Sequence, residues 1–152
     1  MLKKEIKYID FNGDERTETF YFNLTKTELT ELDIESGGTL VEALKRMINT
    51  QDAAGLALFF KNMIIRSYGE KSDDGRYFEK GENYALGKRF TRSNAFDVMF
   101  TELLSDSTGD KVQAFIYGVI PPEIAAQAKA ETTPKVVVGD FDAAGNITQN
   151  NI

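Results

Sequence analysis

The sequence predicts an α+β fold, mainly α: an N-terminal β-hairpin packed on a bundle of about five to six helices, then a flexible C-terminal tail. Three observations carry this. Residues 3–22 are rich in Ile, Tyr, Phe and Thr and are split by Asn12-Gly13, a strong hairpin signal. Between Thr25 and Ala130, apolar residues recur at helical spacing, punctuated by local start and stop signals. From Glu131 the composition shifts to Pro, Gly, Asn and Thr, with one apolar knot at Val136-Val137-Val138. Residues 1–130 therefore read as one globular domain and residues 131–152 as a tail or docking arm.

With Asn12 and Gly13 as the central residues of a two-residue turn, Lys7 falls opposite Glu18 and Ile9 opposite Arg16. Ile9, Phe11, Phe20 and Phe22 then share one face, and Ile6, Tyr8 and Tyr21 the other. A lone ribbon is marginal in water, so helices are expected on one face and a partner on the other.

Thr25 and Glu28 have the spacing of a capping box, with Leu24 and Leu29 as its hydrophobic staple, and Ser36-Gly37-Gly38 ends that helix. The next runs from about Thr39 to Asn49, with Leu40, Val41, Leu44, Met47 and Ile48 on one stripe. Asp52 opens a third, reaching about Ser67. Leu56, Phe59, Phe60, Met63 and Ile64 form its main stripe, while Leu58 and Ile65 lie off it. A helix apolar over most of its circumference belongs at the centre of a core. A weak helix follows near Glu82 to Lys88. Ser93 caps a stronger one carrying Phe96, Met99, Phe100, Leu103 and Leu104. After a break at Asp106 to Gly109, Val112, Phe115, Ile116 and Val119 mark a helix that Pro121-Pro122 ends, and Glu123 to Ala130 forms the last.

Composition bounds the chemistry. The chain has neither cysteine nor histidine, which removes thiolate catalysis, the commonest general base and the commonest transition-metal ligand. A net charge of −6 argues against a nucleic-acid or anionic-membrane partner. The stretch Tyr68-Gly-Glu-Lys-Ser-Asp-Asp-Gly-Arg-Tyr-Phe78 resembles the start of a calcium loop. With Gly75 at the sixth position, however, the twelfth is Gly81, where a bidentate Glu is required. A polar turn with Gly75 left-handed is the better reading. No phosphate-loop glycine pattern occurs. Asp73, Asp74, Glu79 and Glu82 read as solvated charge, and Lys88, Arg89 and Arg92 as a helix-end group. No catalytic residue, metal or cofactor is expected. The remaining candidates are partner-binding: Val136, Val137, Val138 and Phe141 in the arm, which has the β propensity to add to a sheet edge, and Tyr8 and Tyr21 on the hairpin that offers such edges.

Four segments, in order, carry a resemblance: Asp10–Thr25, Tyr68–Phe78, the aromatic helix Phe96–Leu103 and Gly118–Pro121. They resemble the tail assembly chaperones of long-tailed bacteriophages of Gram-positive hosts. Lys80-Gly81 and Gly87 depart from it, weakening a helix that is stronger in such relatives. The resemblance implies a non-catalytic protein of the host cytoplasm, absent from the mature virion. It would bind the tape-measure protein and help recruit the major tail protein; self-association is left open by the sequence. The alternative from another class is a head–tail or tail-completion component retained in the virion.

Overall fold

The computed structural model describes residues 1–130; the arm candidates Val136, Val137, Val138 and Phe141 lie outside the described residues. The architecture is the expected α+β one. Strands β1 (Leu2–Ile9) and β2 (Glu15–Phe22) form the hairpin, followed by α1 (Lys26–Ser36), α2 (Leu40–Asn49) and α3 (Ala53–Ser67). Two short strands, β3 (Tyr68–Lys71) and β4 (Phe78–Glu79), lead through a 3₁₀ turn at Glu82–Tyr84 into the six-residue α4 (Ala85–Phe90). Then come α5 (Asn94–Leu104), α6 (Asp110–Val119) and α7 (Pro122–Ala130).

The hairpin register differs from the expected one by a single residue: Tyr8 lies opposite Arg16, Lys7 opposite Thr17 and Ile6 opposite Glu18. The loop is Phe11-Asn12-Gly13 rather than Asn12-Gly13 alone. Asp10 N–H bonds Asp14 O at 2.9 Å, Gly13 N–H bonds Asp10 O at 3.0 Å, and only Gly13 in the loop has positive φ, at 87°. This is a type I turn closed by a left-handed glycine, which adds a residue relative to the two-residue turn. The Asp10 carboxylate stabilises it by accepting from the backbone N–H of Asn12 and of Asp14. A one-residue slip exchanges faces. Leu2, Ile6, Tyr8, Phe20 and Phe22 consequently share the inner face, and Tyr21 and Ile9 lie on the outer one, so Tyr8 and Tyr21 are not neighbours on one face.

The hairpin is also not alone. Tyr68–Phe78, expected as a polar turn only, is a second small hairpin whose first strand pairs with β2, giving a four-stranded antiparallel sheet in the order β1-β2-β3-β4. Its tip is the expected turn, with Gly75 at φ 73°. Gly69 lies between β2 and β4, where a Cβ would come within 2.6 Å of the Phe78 ring. The inner face packs on an aromatic cluster: Phe22 meets Tyr68, Phe90 and Phe115 edge-on, and Tyr68 stacks on Phe90 at 4.5 Å.

Local caps start the helices where the sequence places them. Thr25 and Thr39 make complete capping boxes with Glu28 and Glu42, and Asp52 and Ser93 cap α3 and α5. Helix α6 follows Gly109, which has no side chain to cap it; buried Asp106 substitutes, accepting from the N–H groups of Lys111 and Val112 at 2.9 and 3.0 Å. Helix α3 is central as expected, with Leu56, Phe60, Met63 and Ile64 buried. Phe59 is only half-buried at the core edge, and Leu58 is exposed.

The departures at residues 80–87 have structural reasons. Lys80 Nζ donates to Asn23 O, Glu28 Oε2 and Arg66 O, each at 2.7 Å, so one ammonium ties the sheet to the start of α1 and the end of α3. Gly81, Asn83 and Tyr84 all have positive φ, which turns the chain sharply into α4. Gly87 then lies so close to α3 that a Cβ would sit 1.9 Å from Ile65 O. The glycine that weakens α4 as an isolated helix is what allows it to reach the core.

Candidate functional site

The geometry offers surfaces rather than a cluster of reactive groups. At the hairpin tip, Asp10 accepts a hydrogen bond from Arg16 Nε as well as from two backbone amides. That guanidinium, with the amides, holds the Asp10 carboxyl below the usual aspartate range. The tip is therefore fastened from inside, and it presents Phe11, 80% exposed, and Ile9 to solvent. Tyr8 is half-buried against Phe20 and donates its hydroxyl to Glu18, which raises the phenol's pKa. Tyr21, half-buried on the outer face, sits between Lys3 and Gly69.

The Tyr68–Phe78 loop is closed on itself. Asp74 accepts from Arg76 N–H and from Ser72 Oγ, lowering its pKa, and Tyr77 N–H donates to Ser72 Oγ. Of the basic cluster, Arg89 pairs with Glu70 across an exposed 2.9 Å contact, a helix-end charge group as expected.

Sequence reasoning missed a groove between the α1–α2 pair and the α6–α7 pair, about 380 Å³ in volume. Its floor and walls are Leu29, Leu40, Val41, Ile116, Ile120, Ile124 and Ala128, and its rim carries Asp33, Glu42 and Lys45. Two sharp corners build it. Gly37, left-handed at φ 69°, closes α1 and lets Asp33 accept from Leu40 N–H, setting α2 across α1. Pro121 and Pro122 end α6 and start α7, so that Ile120 and Ile124 face the same hollow. Volume and lining fall within the range of sites that take an apolar group with few polar contacts.

A model of the phage tail assembly chaperone family matches residues 1–151. The chain belongs to that family. No curated protein and no solved structure matches it. Membership of this family implies interaction with other proteins of the phage tail. Among the described residues, no helix of this chaperone is long and apolar enough to cross a membrane.

Proposed function

We propose that this chaperone binds the tape-measure protein in the host cytoplasm, keeps it soluble, and helps recruit the major tail protein around it, without catalysis and without remaining in the virion. The observation that carries this reading is the groove between α1–α2 and α6–α7. A tape measure is a very long chain whose apolar faces would aggregate before the tube encloses them. An amphipathic segment laid in the groove would bury its apolar side on Leu40, Val41, Ile120 and Ile124, while Lys45 and Glu42 meet its polar flanks. The net charge of −6 keeps chaperone-coated segments mutually repulsive and soluble.

Co-expression with the tape measure tests this. The tape measure should move from the insoluble to the soluble fraction only when this chain is present, and mass spectrometry of purified virions should lack it. A tape measure equally soluble alone would contradict the reading; the chaperone found in virions would favour a retained tail component.

A further inference from the structure

We propose that two copies of this chain associate through the open edge of β2, pairing antiparallel about Thr17. The direction of the backbone groups is fixed at the end of β2, where Asn23 N–H bonds Ser67 O at 2.7 Å on the side of β3. These groups alternate along a strand, so Tyr21, Thr19, Thr17 and Glu15 point the same way. Tyr21 is used, opposite Gly69. Beyond it β3 turns off to pair with β4, and among the described residues Glu15, Thr17 and Thr19 have no ladder partner on that side. An unpaired edge is a template for another strand.

The sequence Glu15-Arg16-Thr17-Glu18-Thr19 selects the strand that fits. About Thr17 it is complementary to itself: Thr17 meets Thr17, Glu15 meets Thr19, and Arg16 meets Glu18 on both sides of the two-fold axis. The outward-pointing residues make the hydrogen-bonded pairs. Arg16 and Glu18 then occupy the other kind of pair, where side chains approach most closely. Neighbouring registers are excluded by charge. Centred on Arg16, the pairing would oppose Arg16 to itself and Glu18 to Asp14; centred on Glu18, it would oppose Glu18 to itself. Centred on Thr19, it would need Tyr21 to face Thr17 on a side that β3 already holds. The contact is isologous and closes at two copies.

The chain contains no cysteine, so single cysteines report unambiguously. Facing Cα atoms in such a pair lie about 5.5 Å apart, within disulfide reach. Full-length Thr17→Cys should therefore oxidise mainly to a disulfide-linked dimer, while Thr101→Cys, exposed on α5, stays monomeric. Thr17→Pro removes the donor at the axis without touching the β1–β2 ladder, and should weaken dimerisation in sedimentation by about tenfold, the worth of its two hydrogen bonds. Because Arg16 also holds Asp10 and Glu18 also accepts from Tyr8 within the chain, these positions report on the dimer where the Asn12 and Asp14 amide shifts stay those of wild type; there Arg16→Glu should dissociate it and adding Glu18→Arg should restore it. Removing residues 131–152 should leave it intact. If Thr17→Pro unfolds, the cysteine pair decides. A wild-type chain monomeric at every accessible concentration, equal cross-linking at both cysteines, or dimerisation lost with residues 131–152 would overturn the proposal.

Discussion

Lys80→Met removes a charge while nearly preserving side-chain volume, and its cost follows from the three acceptors that the ammonium serves. Asn23 O and Arg66 O each lose a donor at 2.7 Å in a site where Lys80 is 10% exposed. Glu28 loses its cation but keeps Thr25 N–H at 2.8 Å and some contact with water. An orphaned buried acceptor costs about 1–3 kcal/mol, and breaking a buried ion pair about 3–5. Opposing this, the substitution recovers the desolvation of the ammonium, which outweighs the attraction of Glu28 and lowers the Lys80 pKa. The net expectation is a loss of about 2–4 kcal/mol, a large part of the stability of a domain this size. Urea unfolding followed by circular dichroism measures it as a lower midpoint at unchanged slope. The pH dependence gives a second handle. Between the lowered Lys80 value and the ordinary lysine value the unfolded chain holds more protons than the folded one, so this residue's contribution makes wild-type stability rise with pH there. Lys80→Met lacks that contribution, and the gap between the two curves should widen. A loss under about 1 kcal/mol would mean that water replaces the ammonium and that the three-way tie is not structural.

Further substitutions test the packing and the tip. Phe60→Ala should cost about 3–5 kcal/mol in the same assay and Phe59→Ala less than half of that, because Phe60 is fully buried and Phe59 is not; equal losses would misplace α3. Gly87→Ala should lower stability by about 1–3 kcal/mol or more, since the new methyl meets Ile65 O, and a neutral result would show that α4 does not rest on α3. The Asp10 carboxyl supports the tip above the ordinary aspartate range and loses that role as pH falls through its lowered pKa. The amide shifts of Asn12 and Asp14 should report that titration, and Asp10→Asn should abolish it. Removal of residues 131–152 should leave the helical circular dichroism and cooperative unfolding intact.

What the sequence made legible was what its local chemistry decides. Thr25, Thr39, Asp52 and Ser93 cap helices within three residues of themselves, so those starts are written in short stretches of chain. The hairpin was legible but its register was not, because Asn12-Gly13 suits two loop lengths and the Asp10 side chain decides between them. Strands β3 and β4 are too short to show alternation, and the pairing that joins β3 to the sheet is with distant β2. Lys80 and Gly87 read as helix weakeners because their partners, Asn23, Arg66 and Ile65, come from other elements. The groove was hidden for the same reason. Leu29 and Ile124 line it together, and neither stripe shows by itself that its helix leaves a gap against the other.

Val41 stands half-buried in the groove wall, where a carboxylate would be set against any apolar segment seated there. The most direct test is the capture of a tape-measure segment by Val41→Glu, compared with wild type and controlled by the variant's own melting. With melting unchanged, capture should fall by about tenfold or more, since an unpaired charge is placed in an apolar contact. Capture undiminished in a folded variant would place the client elsewhere and contradict the groove as the working surface.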